Sequence, residues 1–240
     1  MSNELTDKDL WKEYWKNYQY EKISDKVIYK EYVARLKGKQ SFIEIGGFPG
    51  ANAIYFYRNI CEDVSLLDFY VDREMVNKLE CINEVPKNSI NCIESDFFIY
   101  KPDRQYDIVC SIGFIEHFED TENVILKHIE LLSDNGILLI ILPNFRGLNG
   151  LVQYFFDRKN LKIHNLNSMK IINLEQTLKK TNLKNIEIRY TKKPMLWLEP
   201  KPKRGNKLAR KAIYLFSCFL KVFPIRCRLL SPYIIIYAEK

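Results

Sequence analysis

The stretch Glu44-Ile45-Gly46-Gly47-Phe48-Pro49-Gly50 is the part of the sequence best suited to bind a ligand. It lies between an apolar run at 41–45 and a helical pattern, so the glycines expose bare backbone and the helix offers unpaired N–H groups. The sequence has neither a phosphate-binding loop with its lysine nor a complete dinucleotide-binding glycine motif. The Glu44 carboxylate would repel a pyrophosphate and attract an ammonium or sulfonium group. The turn therefore predicts a cationic, phosphate-free nucleoside cofactor.

Alternating strands and helices position this turn. Apolar runs predict strands at 41–45, 64–69, 89–93, 106–111, 136–142, 183–190 and 232–239. Helical patterns lie at 51–60, 72–81, 121–132, 148–157 and 167–181. This alternation is typical of a parallel sheet covered on both faces, whose ligand crevice lies beyond the carboxyl ends of the central strands. Only a basic helix separates the last two strands, which predicts an antiparallel pair closing one edge.

Four features in this order resemble the class I S-adenosylmethionine-dependent methyltransferases, in particular the small-molecule branch similar to ubiquinone-biosynthesis methyltransferases. They are the glycine turn, the acid after the second strand, Ser95-Asp96-Phe97, and the segment 106–118. The resemblance covers 41–190 and implies an α/β, Rossmann-like, doubly wound sheet of seven strands, mostly parallel with the last strand antiparallel. It implies S-adenosylmethionine as the cofactor. The cofactor-binding residues that it implies are Glu44, Gly46, Gly47, Gly50, Asp68, Phe69, Asp96, Phe97 and Ser111.

Three positions depart from the pattern of this family or leave it ambiguous. Phe48 stands where a glycine is usual, so either the loop passes the cofactor differently or the ring folds outward. Asp72 would replace Asp68 if the second strand ran further. In some relatives two acids and a histidine near the fourth strand hold a metal. Gly113 takes the place of the first acid, so we predict no metal.

The resemblance also implies roles in the chemistry. Methyl transfer is an in-line displacement in which the protein aligns the acceptor and removes a proton if the acceptor is a hydroxyl. His117 is the candidate catalytic base, and a histidine that only packs the turn is the alternative. Glu116, Asn144 and His164 are candidate substrate-binding residues. A turn-forming asparagine and a solvated loop histidine are the plainer alternatives for the last two.

The chain is interpreted as one methyltransferase domain, 1–240. Its parts are an N-terminal helical cap at 1–40, a cofactor-binding core at 41–190, a basic insertion at 191–230 and a final strand at 231–240. The cap carries an aromatic stripe that predicts either core packing or a lid over the cofactor. The stripe consists of Trp11, Tyr14, Trp15 and Tyr18.

The net charge of +7 is concentrated in the basic insertion, which has eleven Lys or Arg and one acid. A helical pattern over 206–223 has two faces, an apolar one and a polar one. The apolar face has Leu208, Ala212, Leu215, Phe219 and Val222, and the polar face has Arg210, Tyr214, Ser217 and Lys221. Three interpretations stand: a helix on a membrane surface, a lid over an anionic acceptor, and a helix packed on the sheet edge with a wet basic face.

These observations predict methyl transfer from S-adenosylmethionine to oxygen of a small-molecule or glycan-type acceptor. The basic insertion is compatible with an anionic acceptor. Nucleic-acid methylation is a rival that the insertion invites, but Ser111-Ile112-Gly113-Phe114 is not the Asn-Pro-Pro-aromatic element of amino-directed nucleic-acid methylases. A non-catalytic scaffold protein is the other rival, favoured by Phe48. The polar, acidic start at 1–9 does not resemble a signal peptide, which predicts a cytoplasmic protein whose six cysteines are reduced thiols. The absence of a C-x-x-C pair argues against zinc-knuckle and thioredoxin-type sites.

Overall fold

The computed structural model describes residues 8–16, 18–196, 198, 207–222 and 224–240. Its N-terminal part contains α1 (Lys8–Trp15), a short 3-10 helix (Lys30–Tyr32) and α2 (Val33–Leu36). The prediction of helices throughout the first forty residues is wrong for 18–29, where the described chain is not helical. This segment instead places side chains such as Tyr20 and Val27 against the core.

The described residues form a seven-stranded sheet in the order β3-β2-β1-β4-β5-β7-β6. The strands are β1 (Ser41–Ile45), β2 (Asp63–Asp68), β3 (Ile90–Glu94), β4 (Tyr106–Ile112), β5 (Leu132–Pro143), β6 (Lys184–Tyr190) and β7 (Tyr233–Glu239). Strands β1 to β5 pair in parallel, whereas β7 is antiparallel to both β5 and β6. The predicted Rossmann-like sheet with a reversed last strand is confirmed, and β6 is the outermost strand of the predicted edge pair.

Two apolar layers cover the sheet because its strands bury side chains on both faces. The helices after β1 are α3 (Ala51–Asn59), α4 (Arg73–Ile82), α5 (Thr121–Glu130), α6 (Leu148–Phe156), α7 (Arg158–Lys162), α8 (Ile171–Lys179) and α9 (Lys207–Leu220). One layer contains Ile43 of β1 and residues of α5 and α8, and the other contains Phe42 of β1 and residues of α3 and α4. Parallel β1, β2, β4 and β5 therefore end along one rim, where the loops that follow them meet.

The helix of the basic insertion does not pack with its predicted apolar face inward, although Tyr214 and Lys221 of the predicted polar face are exposed. Ser217 and Leu220 of α9 are buried, and the Ser217 hydroxyl accepts a hydrogen bond from the Leu196 N–H at 3.0 Å. The predicted apolar face is turned outward, with Leu208 81% and Val222 71% exposed. Of the basic insertion, 197, 199–206 and 223 lie outside the described residues, as do the residues 1–7 of the acidic start.

Candidate active site

The chain turns sharply at 46–50, between β1 and α3. Gly46 and Gly50 have φ angles of +66° and +102°, in the left-handed region that side chains disfavour. The Gly46 N–H donates a hydrogen bond to the Leu67 carbonyl at 2.8 Å, which ties the turn to β2. The backbone course itself therefore requires these two glycines.

Glu44 lies beneath this turn rather than free at the rim of the cleft. One carboxylate oxygen accepts a hydrogen bond from the Asn52 amide at 2.8 Å and the other accepts one from the Ala53 N–H at 3.1 Å. A Cβ at Gly47 would lie 2.0 Å from the Glu44 carboxyl carbon, so the backbone passes directly over it. Burial raises the pKa of Glu44 to about 8. The side chain thus supports the turn from below, a role that differs from the lone rim carboxylate of the sequence argument.

Asp68 is the acid at the end of β2. Its carboxylate accepts hydrogen bonds from the Phe48 N–H at 3.0 Å and the Tyr70 N–H at 3.3 Å. Burial raises its pKa to about 6 against the lowering effect of these bonds. Asp72 instead caps α4, accepting hydrogen bonds from the N–H groups of Glu74 and Met75. The ambiguity between the two acids is resolved geometrically, because only Asp68 reaches the turn.

The aromatic ring at Phe48 folds outward from the turn. It is buried and packs edge-on against Trp15 and Tyr70, at ring-centroid distances of 5.7 and 5.5 Å. It does not line the smaller cavity described next. The Phe48 ring, the feature that favoured a scaffold protein, therefore does not fill this cavity.

A cavity of about 60 Å³ lies at the carboxyl ends of β1, β2 and β4. We call it the smaller cavity. It is lined by Trp11, Trp15, Ile45, Gly46, Leu67, Asp68, Phe69, Ser95, Phe97, Gly113, Phe114, His117 and Phe118. Four predicted cofactor-binding residues are among them: Gly46, Asp68, Phe69 and Phe97. This lining provides a carboxylate, glycine backbone and aromatic faces, and these are groups that suit the binding of a cationic nucleoside.

Three predicted cofactor-binding residues lie outside both cavities of the site. Gly50 begins α3, and the Asp96 carboxylate accepts a hydrogen bond from the Phe98 N–H at 2.8 Å. Ser111 is buried in β4, and its hydroxyl has no hydrogen-bond partner among the described residues. The sequence argument missed Ser95 and Phe114, although both directly follow predicted strands or their turns.

A second cavity of about 650 Å³ adjoins the first, and we call it the larger cavity. Trp11, Trp15, Gly46, Gly113 and His117 line both. The other residues that line it are Glu13, Tyr14, Tyr18, Glu44, Gly47, Phe48, Pro49, Ala51, Asn52, Ile112, Glu116, Pro143, Lys159, Asn160, Ile163, His164 and Tyr233. The two cavities are therefore neighbours, and the turn after β4 forms part of the wall that they share.

Two predicted residues far apart in sequence, His117 and His164, meet at the wall of the larger cavity. Their ring centroids are 4.6 Å apart. His117 Nδ1 lies 3.0 Å from the Ile163 carbonyl and His164 Nδ1 lies 2.6 Å from the Asn160 carbonyl. A carbonyl only accepts, so both Nδ1 atoms carry the proton and both Nε2 atoms keep a lone pair. Burial lowers the pKa of both histidines, that of His117 to about 3.

Glu116 adds a carboxylate to this pair. It is buried, and its Oε2 has no hydrogen-bond partner among the described residues. Desolvation raises its pKa to about 8. The ligand atoms of Glu116, His117 and His164 all lie within 4.8 Å of one another. The structure therefore brings two of the three predicted substrate-binding residues together with the candidate base.

Asn144, the remaining predicted substrate-binding residue, lies outside both cavities. It is buried, and its amide donates hydrogen bonds to the carbonyls of Arg228 and Ser231, each at 2.7 Å. It joins the end of β5 to the segment before β7. The geometry gives it a turn-forming role, the plainer alternative of the sequence argument.

Helix α1 covers the junction of the two cavities. Trp11 packs edge-on against His117 at a centroid distance of 5.3 Å, and Trp15 packs against Phe48. Pockets that hold cofactors usually measure roughly 300–1,000 Å³, so the smaller cavity holds a nucleoside only when these rings move. The aromatic stripe serves both predicted purposes. Trp15 packs against the core as well as lining the cavities, whereas Tyr14 is 48% exposed.

Strand order, reversed β7, glycine turn and acid after β2 together define a class I methyltransferase. The model of the family described as "Methyltransferase domain" matches residues 14–188, and the chain belongs to this family. The prediction of an S-adenosylmethionine-dependent methyltransferase is confirmed. The narrower likeness to the ubiquinone-biosynthesis branch stays a prediction. Among curated proteins, none matches the chain.

Solved structures of similar fold include three methyltransferases. An S-adenosylmethionine-dependent methyltransferase from Archaeoglobus fulgidus has a TM-score of 0.55 and 17% identity, covering 88% of this chain and 90% of its own. Phosphoethanolamine N-methyltransferase 2 from Haemonchus contortus, in complex with S-adenosylmethionine, has a TM-score of 0.61 and 16% identity, and the match covers 88% of this chain and 52% of that one. N-methyltransferase NodS from Bradyrhizobium japonicum, in complex with S-adenosylhomocysteine, has a TM-score of 0.52 and 12% identity, and the match covers 99% of this chain and 94% of that one. This chain spans about half the length of the nematode enzyme.

Proposed function

We propose that this chain transfers the methyl group of S-adenosylmethionine to a hydroxyl oxygen of a small-molecule or glycan-precursor acceptor. The observation that carries the proposal is the meeting of two cavities at Gly46, Gly113 and His117. In the reaction an acceptor O–H becomes O–CH₃, the sulfonium becomes a thioether, and one proton is released. The cofactor supplies a methyl carbon already activated by its sulfonium charge.

Residues of the smaller cavity would hold the cofactor. The donor set fits, because Asp68 offers a carboxylate for hydroxyl groups, the 46–50 turn offers backbone, and Phe69 and Phe97 offer aromatic faces. Asp68 already positions the turn through the Phe48 N–H, so binding at the carboxylate and the shape of the turn are linked. The rings of Trp11 and Trp15 would then close over the cofactor and exclude water.

Residues of the larger cavity would hold the acceptor. His117 and His164 present unprotonated Nε2 atoms that can accept a hydrogen bond from a hydroxyl and orient its oxygen. Lys159 lines the same cavity, together with three glutamates, and its ammonium group can pair with a negatively charged group of an acceptor. The name of the nematode neighbour states a small phosphate-bearing acceptor for that enzyme, which agrees with a small molecule here.

The experiment combines calorimetry with transfer of radiolabelled methyl groups. The wild-type chain should bind S-adenosylmethionine and label a small-molecule fraction of a cell extract rather than RNA. His164→Asn should keep cofactor binding, because His164 lies outside the smaller cavity, and should lose transfer. Glu119→Gln, at an exposed carboxylate, is the matched control. Absence of cofactor binding would support a scaffold protein, and label in RNA would support the nucleic-acid alternative.

We further propose that α6 and α9 dock this cytoplasmic enzyme on an anionic membrane surface. Exposed apolar side chains of both helices line or flank a groove whose lining is entirely apolar, with Phe155 of α6 73% exposed. The exposed basic residues are Lys211 on α9 and Lys221 directly after its end. Apolar area for insertion combined with basic charge suits an anionic bilayer. Within the described part of the chain, no helix has the length and apolar character to cross a bilayer.

Vesicle sedimentation tests this second proposal. The chain should sediment with phosphatidylglycerol vesicles and much less with phosphatidylcholine vesicles, and added salt should weaken the association. Leu215→Glu on α9 should reduce it, whereas Ile99→Glu, at an apolar position elsewhere that is even more exposed, should not. Equal sedimentation of the two variants, or salt-sensitive binding to RNA but not to vesicles, would contradict membrane docking.

A further inference from the structure

We propose that Glu116, His117 and His164 form a binding site for one divalent transition-metal ion at the wall of the larger cavity. Their ligand atoms lie within 4.8 Å of one another. The sequence argument excluded a metal because Gly113 replaces an acid, but it placed His164 in an unrelated loop. The fold brings His164 to this wall, so its imidazole can serve as a ligand in place of the carboxylate that is absent at Gly113.

Both histidines are oriented as metal-binding histidines usually are. Such histidines donate their second ring N–H to a carbonyl or carboxylate, which fixes the tautomer and aims the other nitrogen at the metal. Here the Nδ1 protons point to the carbonyls of Ile163 and Asn160, which leaves both Nε2 lone pairs available. Two separate backbone carbonyls therefore impose the same tautomer on two adjacent rings.

The buried carboxylate provides the independent sign of a missing partner. Glu116 is 1% exposed and its Oε2 has no hydrogen-bond partner among the described residues. An unpaired buried carboxylate oxygen is costly, and a cation beside it removes that cost. No Lys or Arg occurs in the 115–118 turn that carries this carboxylate.

The ligand types select the class of metal. Two imidazoles and one carboxylate suit Zn²⁺, Co²⁺ or Fe²⁺ rather than Mg²⁺, which prefers oxygen ligands. Three protein ligands leave a position open toward the larger cavity, where the proposed acceptor would lie. A metal there would act as a Lewis acid that lowers the pKa of an acceptor hydroxyl. This role rests on the proposed function and makes His117 a ligand instead of a base, whereas the metal binding does not depend on it.

Titration of the chelator-treated chain with Co²⁺ tests the site. The wild type should bind one equivalent, with visible absorption of cobalt in a nitrogen and oxygen environment, and Zn²⁺ should displace it. Glu116→Gln and His164→Asn should each weaken binding at least about tenfold. Glu119→Gln, which removes an exposed carboxylate next to the site, should bind as the wild type does.

Three outcomes would overturn the proposal: no stoichiometric binding by the wild type, wild-type affinity in His164→Asn, or a thiolate-to-cobalt charge-transfer band that places the ion on a cysteine. Circular dichroism and S-adenosylmethionine calorimetry on each variant show whether it is folded. Stoichiometric metal binding without methyl transfer to any small molecule would keep the metal site and refute the proposed function. Methyl transfer by a metal-free chain would support the proposed function and refute the Lewis-acid role of the metal.

Discussion

Replacing Glu44 with glutamine should flatten the pH dependence of the free energy of unfolding. Glu44 is completely buried under the glycine turn, where the Asn52 amide and the Ala53 N–H are its hydrogen-bond donors. These donors favour the carboxylate, but the loss of hydration outweighs them and raises the pKa from 4.5 to about 8. The folded chain therefore holds a proton that the unfolded chain releases.

The sign and size of the effect follow from this difference. A carboxyl group with a raised pKa stabilises the fold fully below the unfolded pKa, and this stabilisation is lost as the pH rises through 4.5 toward about 8. Between about pH 5 and about pH 7.5, Glu44 should lower the free energy of unfolding by about 3 kcal/mol. Glutamine has a similar shape and no titration, so its variant lacks this slope.

Urea unfolding of both proteins across this pH range measures the effect. The slopes are compared rather than the absolute stabilities, because the glutamine amide also changes the hydrogen bond to Ala53. Other carboxyl groups whose pKa is raised, such as Asp68, contribute equally to the slopes of both proteins. The exposed-site variant Glu119→Gln should keep the wild-type slope. Parallel curves for the wild type and Glu44→Gln would show that Glu44 is charged in the folded chain and would refute the reasoning.

Three further predictions concern the smaller cavity. Gly46→Ala and Gly38→Ala both place a side chain at positive φ, which should cost each about 1–2 kcal/mol in thermal or urea unfolding, and the clash with Phe114 should add to the loss in Gly46→Ala. Only Gly46→Ala should also abolish S-adenosylmethionine binding in calorimetry, since its Cβ would lie 2.1 Å from the Phe114 ring whereas Gly38 has open space. Asp68→Asn should raise the Kd of S-adenosylmethionine by about 10- to 100-fold, as expected when hydrogen bonds to a charged group are lost. An unchanged Kd would contradict the role of Asp68 in cofactor binding. Trp11→Ala should speed cofactor association in stopped-flow fluorescence, and identical rates would mean that the ring does not cover the cavity.

Local patterns predicted the sheet and the turn well, for a physical reason. Continuous apolar runs of strand length are stable only where both faces are buried, and this alone indicates a parallel sheet between helices. Glycines at a strand-to-helix turn indicate backbone angles that other residues disfavour, and Gly46 and Gly50 do adopt left-handed φ angles. These features depend on neighbouring residues, so the order of amino acids carries them.

Side-chain direction was decided by tertiary packing. Glu44 was expected at the rim, yet the chain of α3 offers it donors below the turn. Asp68 and Asp72 are equivalent in spacing alone, and only the end of β2 separates them. The amphipathic pattern of α9 was correctly recognised, but its packed face is set by Ser217 and Leu196.

The amino-acid order alone therefore predicted the family and the order of the strands along the chain, because each depends on short stretches of chain. The contact between His117 and His164, in contrast, depends on the tertiary structure. They come from the turn after β4 and from the segment just after α7, and no periodicity relates the two positions. Only the folding of α6 and α7 back over the strand ends brings their rings to 4.6 Å, since such a contact depends on how whole elements pack.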